Sequence, residues 1–194
     1  MSLPAGLILA GGLSRRMPGA SKLARPWAEG TVLGAVVRTA RDAGLAPVAV
    51  VGRADEPLPD GAEGADLRLQ VAPGGGRADS LARGLAELEP GPVIVLLGDE
   101  PGVRPEVVRA LVERCRAAGA DAGRVEYADR PGHPVWLGPA ARALATDLAG
   151  EAAVWDHVSK PPLRTVLLEL DEPAPIDVDT PAALERARDP RENR

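Results

Sequence analysis

The sequence has few of the side chains that metal and redox sites commonly use. Its 194 residues include one cysteine, Cys115, and two histidines, His133 and His157. A single cysteine excludes an internal disulfide and a cysteine-based zinc site, and two histidines leave little for a histidine metal cage. Cys115 lies on the apolar face of a predicted helix, so we expect a core residue rather than a nucleophile.

Aromatic residues, an excess of positive charge and long apolar runs are also missing. Aromatic residues make up 2% of the chain, with no phenylalanine, which nearly excludes stacking platforms for single-stranded nucleic acid. The formal net charge of −5 argues against a broad basic surface. No run approaches the roughly 20 apolar residues of a membrane helix, and the start lacks the basic segment of a signal peptide. We therefore expect a cytoplasmic protein that binds neither nucleic acid nor membranes.

The first half of the chain alternates short apolar runs with helical periods. Short apolar runs predict strands at 7–10, 47–51, 67–71 and 92–97. Helical spacing predicts one helix between Thr31 as N-cap and Gly44 as stop, a second over 80–88 and a third from Pro105. This alternation over the first 118 residues indicates a parallel sheet with right-handed crossovers.

The second half is less regular but contains the same kinds of element. It predicts strands at 124–127, 134–137 and 163–170, helices at 139–148 and 151–158, and a turn at 129–132. Thr180 and Pro181 are a good start signal for a last helix. We expect a single three-layer α/β/α domain over residues 1–188, followed by a charged tail at 189–194.

A long loop rich in glycine and basic residues follows the first predicted strand, from Gly11 to Lys22. Glycines let the backbone approach an anion, exposed amides bind its oxygens, and Arg and Lys neutralise it, so the loop predicts a phosphate site. In a Walker loop the lysine precedes Ser or Thr, whereas here Ser21 precedes Lys22. The dinucleotide fingerprint leads at once into a helix, whereas about twenty residues separate this strand from Thr31. The alternative is a solvated loop with surface arginines.

Three aspartates are candidates for holding a metal ion. Asp99 follows the strand at 92–97, where a carboxylate is placed to hold Mg²⁺ on a phosphate or else to cap the next turn. Asp177 and Asp179 share one face of an extended segment, and either could be the second ligand or assist the helix start at Thr180. The same spacing matches the D-x-D with which glycosyltransferases bind a sugar nucleotide, so a glycosyltransferase is a competing hypothesis.

Two further positions have both a functional and a structural interpretation. His133 lies in a tight Pro131-Gly132-His133-Pro134 loop, where it contacts a substrate or is simply a solvated turn residue. Asp79 and Ser80 follow three consecutive glycines, where they hydrogen-bond a nucleobase edge or cap a helix.

Taken together and in this order, the motifs resemble those of the MobA-like NTP transferases, the nucleotidyltransferases that complete the molybdenum cofactor. They lie at residues 9–12, 14–17, 22, 79–81, 84–85, 98–101, 132–135 and 177–181. The Gly132-His133-Pro134 and Asp177-Val178-Asp179 pieces are similar to the cytidylyltransferase branch of that family.

The resemblance implies a Rossmann-like fold with a mostly parallel sheet, a bound NTP (CTP or GTP), Mg²⁺ as cofactor and a phosphorylated pterin-type acceptor. A transient contact with a molybdoenzyme or its maturation factor would follow. The nucleotide-binding residues that it implies are Leu9, Ala10, Gly11, Gly12, Ser14, Arg15, Arg16, Lys22, Asp79, Ser80 and Gly98. It further implies that Arg16, Lys22 and Asp99 are catalytic, that Asp99 and Asp179 bind the metal, and that His133 contacts the acceptor.

The choice of nucleotide and acceptor stays open at this point. Ala78-Asp79-Ser80 stands where the family often has serines, so CTP and GTP remain alternatives. Sugar-nucleotide enzymes usually carry Gly-x-Gly-Thr-Arg where Gly12-Leu13-Ser14-Arg15 stands here. Transfer to another small phosphate acceptor, and a nucleotide-binding accessory domain without turnover, are the remaining hypotheses.

Overall fold

A seven-stranded sheet forms the centre of the structure, a computed structural model that describes residues 3–12, 21–150 and 152–189. In this part of the chain the strands are β1 (Ala5–Leu9), β2 (Pro26–Trp27), β3 (Gly30–Thr31), β4 (Val48–Arg53), β5 (Leu67–Val71), β6 (Val93–Leu97), β7 (Ala122–Glu126), β8 (Pro131–Leu137) and β9 (Thr165–Glu169). The helices there are α1 (Val32–Asp42), α2 (Arg77–Glu87), α3 (Pro105–Ala118), α4 (Pro139–Thr146), α5 (Val154–Val158) and α6 (Pro181–Arg188).

The sheet has the strand order β5-β4-β1-β6-β8-β7-β9. Strand β8 runs antiparallel to its neighbours β6 and β7, while the other neighbouring pairs are parallel. Among the residues that the structure describes, the short strands β2 and β3 pair only with each other, within the long connection between β1 and α1. The expectation of a mostly parallel sheet is therefore confirmed.

Helices cover both faces of the sheet. Because successive side chains of a strand point to opposite faces, Ile8 packs in the cluster that includes α1, α3 and α6, and Leu7 packs in the cluster that includes α2, α4 and α5. The three-layer α/β/α architecture is thus confirmed. Among the described residues, every helix is too short or too polar to cross a lipid bilayer.

Capping residues set the helix boundaries near the predicted positions. Oγ1 of Thr31 accepts from the Gly34 amide at 3.0 Å, and Oγ1 of Thr180 accepts from the Ala183 amide at 3.1 Å. After α1, Gly44 adopts a positive φ of 81°, a conformation that glycine adopts readily and that ends a helix. Both predicted caps and the glycine stop are confirmed.

Several boundaries differ from the prediction, and three of these differences have a clear local cause. Helix α2 begins at Arg77 rather than at 80, because Asp79 caps from inside the first turn by accepting the Gly76 amide at 2.7 Å. Helix α5 begins at Val154 rather than at 151, because Ala153 still has an extended backbone. Strand β8 begins at Pro131, inside the predicted turn, because it pairs there with Glu126 of β7. Residues 190–194 of the predicted tail lie outside the described residues.

Gly84 lets α2 pack closely on the sheet, and its replacement by alanine should destabilise the protein. A Cβ there would overlap Cδ1 of the fully buried Leu7 and lie 2.8 Å from its Cδ2 and 3.0 Å from Cγ2 of Val51. We expect Gly84→Ala to cost about 1–3 kcal/mol through overpacking, despite the better helix propensity of alanine. The melting temperature should fall by roughly 3–10 °C, whereas Arg83→Ala on the exposed face should change it little. A Gly84→Ala variant as stable as the wild type would contradict this packing.

Candidate active site

Two adjacent cavities lie at the carboxyl ends of the neighbouring strands β1 and β6. The larger, the main cavity, has a volume of about 460 Å³, and the smaller, the side cavity, about 220 Å³. Leu9, Arg77 and Leu97 line both, and Leu9 and Leu97 are register partners in the sheet. Open α/β sheets bind ligands at this edge, so both cavities are candidate ligand sites.

The main cavity contains a cluster of opposite charges formed by Lys22, Asp99 and Asp179. Nζ of Lys22 donates to Oδ2 of Asp99, and to Oδ1 of Asp179 at 2.6 Å. Lys22 is only 5% exposed. Burial alone would lower the pKa of Lys22, but the charges and hydrogen bonds of Asp99 and Asp179 outweigh burial and raise that pKa above its ordinary value. The buried ammonium of Lys22 therefore joins its own chain segment to those of Asp99 and Asp179, which are distant in sequence.

A short turn holds Lys22 in place. Oγ of Ser21 accepts from the Leu23 amide at 3.4 Å and starts a 3₁₀ turn over Lys22–Ala24. Leu23, which is 4% exposed, packs into the hydrophobic cluster that also includes α1. The buried leucine anchors the turn, and the lysine beside it carries its charge into the main cavity.

A buried valine positions Asp179. Val178 is fully buried, and its amide donates to the backbone oxygen of Asp99 at 2.9 Å. Both flanking aspartates line the main cavity, as the two-residue spacing predicts. Asp179 contacts Lys22, whereas Oδ1 of Asp177 accepts from Arg130 at 3.2 Å. Of the two sequence candidates, the geometry thus brings Asp179 to the Lys22–Asp99 pair.

The donor set of this cluster fits a hard divalent cation. Carboxylate oxygens of Asp99 and Asp179 converge on one positively charged atom, Nζ of Lys22, and carboxylate oxygens are the ligands that Mg²⁺ prefers. In the described ranges, no group of three or more His, Cys, Asp or Glu residues could hold a metal. Mg²⁺ is often bound by one or two carboxylates together with phosphate oxygens and water, so two converging carboxylates are sufficient.

Asp79 and Ser80 have structural hydrogen bonds, and of the two only Ser80 lines a cavity. Oδ2 of Asp79 accepts from the amides of Gly76 at 2.7 Å and Gly150 at 3.1 Å. Ser80 is 3% exposed, its hydroxyl donates to the Gly76 oxygen at 3.3 Å, and it lines the cavity. A Cβ on Gly11 would lie 3.1 Å from Oγ of Ser80, so glycine keeps this wall open. That these residues read the nucleobase stays a prediction.

The side cavity has mostly apolar walls with cationic side chains among them. Leu81, Val95, Val135 and Trp155 form much of the wall. The guanidinium of Arg124 lies 4.5 Å from the centre of the Trp155 ring, and Arg124 and His133 also line the cavity. The sequence candidate His133 therefore belongs to the side cavity and not to the main one.

Behind His133 lies a buried carboxylate, Glu100, which is 3% exposed. Nδ1 of His133 lies 3.3 Å from Oε2 of Glu100, and the carboxyl group of Glu100 also interacts with that of Asp177. Burial alone would lower the pKa of His133, but the charge of Glu100 outweighs it and raises that pKa. Burial and then the charge of Glu100 raise the pKa of Asp177 to about 6. Glu100 thus links the side cavity to the segment that carries Asp179.

Most of the chain matches the model of a known protein family. The family model for the MobA-like NTP transferase domain matches residues 6–166. The chain belongs to this family. It therefore carries a nucleotidyltransferase domain, as the order of its motifs predicts.

Solved structures and a curated relative agree with this placement. Rv0371c from Mycobacterium tuberculosis H37Rv is 28% identical, with a TM-score of 0.82 over 96% of this chain and 98% of that one. A structure of Rv0371c complexed with manganese is 26% identical, with a TM-score of 0.78 over 97% of this chain and 100% of that one. The bifunctional protein GlmU of Geobacter sulfurreducens is 38% identical over 122 residues, 60% of this chain. The match covers 26% of GlmU, so the chain spans about a quarter of that relative.

The MobA-like motifs converge on the two cavities. The residues of these motifs that line the main cavity are Leu9, Ala10, Gly11, Gly12, Lys22, Ser80, Asp99, Asp177 and Asp179. Gly98 lies beside them, because its amide donates to the Leu9 oxygen at 2.9 Å. The predicted phosphate-binding residues Ser14, Arg15 and Arg16 lie outside the described residues, so their roles stay predictions.

Sequence reasoning missed the roles of Glu100, Arg77 and Arg124. Glu100 follows Asp99 directly, so its position at a strand end was a usable signal. Arg77 and Arg124 carried no such signal, because one lies in the first turn of α2 and the other in the middle of β7. Only the packing of these elements brings both side chains to the side cavity.

The contact between Glu100 and His133 should affect the pKa of His133, which nuclear magnetic resonance can measure. With only two histidines in the chain, the imidazole signals of His133 and the exposed His157 are readily distinguished. We expect Glu100→Gln to lower the pKa of His133, because the neutral amide no longer favours the imidazolium. The His157 signal serves as the internal reference. An unchanged His133 titration in the variant would contradict the pairing.

Proposed function

We propose that the protein is a divalent-metal-dependent nucleotidyltransferase that transfers the nucleoside monophosphate of an NTP to a phosphate of a small acceptor and releases pyrophosphate. The observation that carries this proposal is the convergence of Lys22, Asp99 and Asp179 in the main cavity. These residues supply a cation for phosphate oxygens and two carboxylates for a metal. Membership of the MobA-like family supports the same reaction class.

The chemistry is an in-line displacement at the α-phosphorus of the NTP. An oxygen of the acceptor phosphate forms a bond to this phosphorus. The bond from phosphorus to the oxygen that bridges to the β-phosphate breaks, and pyrophosphate leaves with its electron pair. The acceptor phosphate is already anionic near neutral pH, so the step needs no general base.

The residues of this chain contribute mainly position and charge. Lys22 binds phosphate oxygens on which negative charge accumulates, and a glycine-lined wall at Gly11 and Gly12 lets the triphosphate approach the backbone. When bound, Mg²⁺ held by Asp99 and Asp179 neutralises phosphate charge and orients the leaving group. The similar Rv0371c has a structure complexed with manganese, which supports the use of a divalent metal ion.

The finer proposal is that CTP is the nucleotide and molybdopterin the acceptor. The Gly132-His133-Pro134 and Asp177-Val178-Asp179 motifs support the cytidylyltransferase branch. The side cavity supports a planar acceptor, because Trp155, Leu81 and Val135 give it apolar walls that suit a ring better than a polyol. Its shared wall with the main cavity supports transfer between ligands bound in the two.

The neighbouring aspartates of the 177–179 segment offer a matched test. We expect Asp179→Asn to lose metal-dependent CTP binding and to lower pyrophosphate release with CTP and molybdopterin by at least about a hundredfold, since it removes a charged active-site contact. Asp177→Asn should keep metal-dependent CTP binding, because Asp177 contacts Arg130 and Glu100 instead of Lys22. Calorimetry with and without Mg²⁺, and a pyrophosphate assay, measure the two effects.

These measurements test the nucleotidyltransferase site and the choice of nucleotide separately. Wild-type protein that binds no NTP, or an Asp179→Asn variant with full activity, would contradict the nucleotidyltransferase site. Tighter binding of GTP than of CTP would keep the reaction and replace the cytidylyltransferase branch by the guanylyltransferase branch. Melting curves of both variants check that they are folded.

A further inference from the structure

The side cavity differs from the main cavity in the sign of its charges. Arg77, Arg124 and His133 line it, and among the residues that the structure describes no carboxylate does. The main cavity, in contrast, has three aspartates in its wall. An apolar cavity whose charged side chains are two arginines favours an anionic group on an otherwise apolar ligand.

Of these three basic side chains, His133 is the one in contact with a buried carboxylate. Glu100 lines neither cavity, so its charge lies on the far side of the imidazole from the ligand. Nδ1 of His133 is buried against Glu100, which leaves Nε2 as the ring nitrogen for a ligand. The Glu100 charge also raises the pKa of His133 against the effect of burial, which favours the form that donates from both nitrogens.

Arg124 has two contacts with neighbouring side chains, while its buried Nε has no hydrogen-bond partner in the part of the chain that the structure describes. One terminal nitrogen pairs with Glu126 at 3.1 Å, and the guanidinium stacks on Trp155. Arg124 and Trp155 therefore form a rigid wall, and Arg77 stands at the junction of the two cavities. Besides Arg124, His133 is the one basic side chain of the described residues that lines the side cavity and not the main cavity.

We propose that the acceptor carries a second anionic group besides the phosphate that attacks the NTP, and that His133, positioned by Glu100, binds this group in the side cavity. This inference rests on the proposed function, since it names the class of acceptor: an organic phosphate whose apolar body bears a further anionic substituent. His133 is then a specificity-determining residue, and Glu100 is a positioning residue.

Two small phosphate esters test whether the side cavity binds a second anionic group. Phenyl phosphate has one anionic group, and 4-carboxyphenyl phosphate adds a carboxylate on the far side of the ring. Their dissociation constants are measured without nucleotide, from the imidazole signal of His133 and from tryptophan fluorescence. We expect wild-type protein to bind 4-carboxyphenyl phosphate about tenfold more tightly, as one charge-assisted hydrogen bond would give.

The variants assign that preference to a residue. His133→Gln should reduce the affinity ratio to about one, and Glu100→Gln should reduce it in part, because a neutral amide no longer holds the imidazolium. His157→Gln is the matched control and should keep the full ratio. In His133→Gln and His157→Gln the metal-dependent affinity for CTP should stay close to that of the wild type, a combination of effects that general loss of structure would not produce.

Several results would overturn the proposal. If the wild type binds the two probes with equal affinity, the side cavity does not bind a second anionic group. If His133→Gln keeps the full affinity ratio, His133 does not bind that group. Loss of the ratio in Arg124→Gln but not in His133→Gln would give the role to Arg124. Should His133→Gln fail to fold, an imidazole signal in the wild type that does not respond to 4-carboxyphenyl phosphate also contradicts the proposal. Failure of CTP binding concerns the proposed function alone, because the probe ratio is measured without CTP.

Discussion

The ammonium of Lys22, held between the carboxylates of Asp99 and Asp179, is the contact on which the rest of the site depends. A buried charge is costly unless it is paired, and removing one partner of such a pair typically costs about 3–5 kcal/mol. Lys22 is almost fully buried, so its ammonium depends on the carboxylates of Asp99 and Asp179 to pair its charge. The contact joins the loop after β1, the end of β6 and the segment before α6, three pieces far apart in sequence.

The surrounding fold places these three pieces at one edge of the sheet. β1 and β6 are parallel neighbours, so their carboxyl ends lie side by side, and Val178 adds the third piece through its bond to the Asp99 oxygen. The same edge separates two environments. Acidic residues and Lys22 line the main cavity, which suits a metal-bound triphosphate, while cationic and apolar residues line the side cavity, which suits an anionic organic acceptor. Glu100 lies between them and contacts both His133 and Asp177.

Much of the fold and of the site could be predicted from the sequence because the deciding signals are local. Thr31, Thr180 and Gly44 mark helix ends by their own chemistry, and the apolar runs of β4 and β6 have no competing interpretation. The convergence of Lys22 with Asp179 could not be derived from spacing alone, since it depends on where Val178 and Leu23 are buried. Arg124 and Glu100 were missed because a strand arginine and a buried glutamate acquire a role only through their neighbours in space.

In the proposed mechanism Lys22 has two functions, so removing its charge should strengthen the binding of a metal ion alone and weaken the binding of the nucleotide. Without substrate its ammonium occupies the position between the carboxylates that a metal ion would take, whereas with substrate its charge serves the phosphates. The most direct measurement is therefore the affinity of Lys22→Met for Mn²⁺ alone and for CTP with Mn²⁺. We expect Lys22→Met to bind Mn²⁺ at least about tenfold more tightly than the wild type, because a competing charge is gone, and to bind CTP more weakly. Lys22→Arg, which keeps the charge, should still bind Mn²⁺ weakly. Mn²⁺ binding by Lys22→Met that is unchanged or weaker would contradict a metal site formed by Asp99 and Asp179.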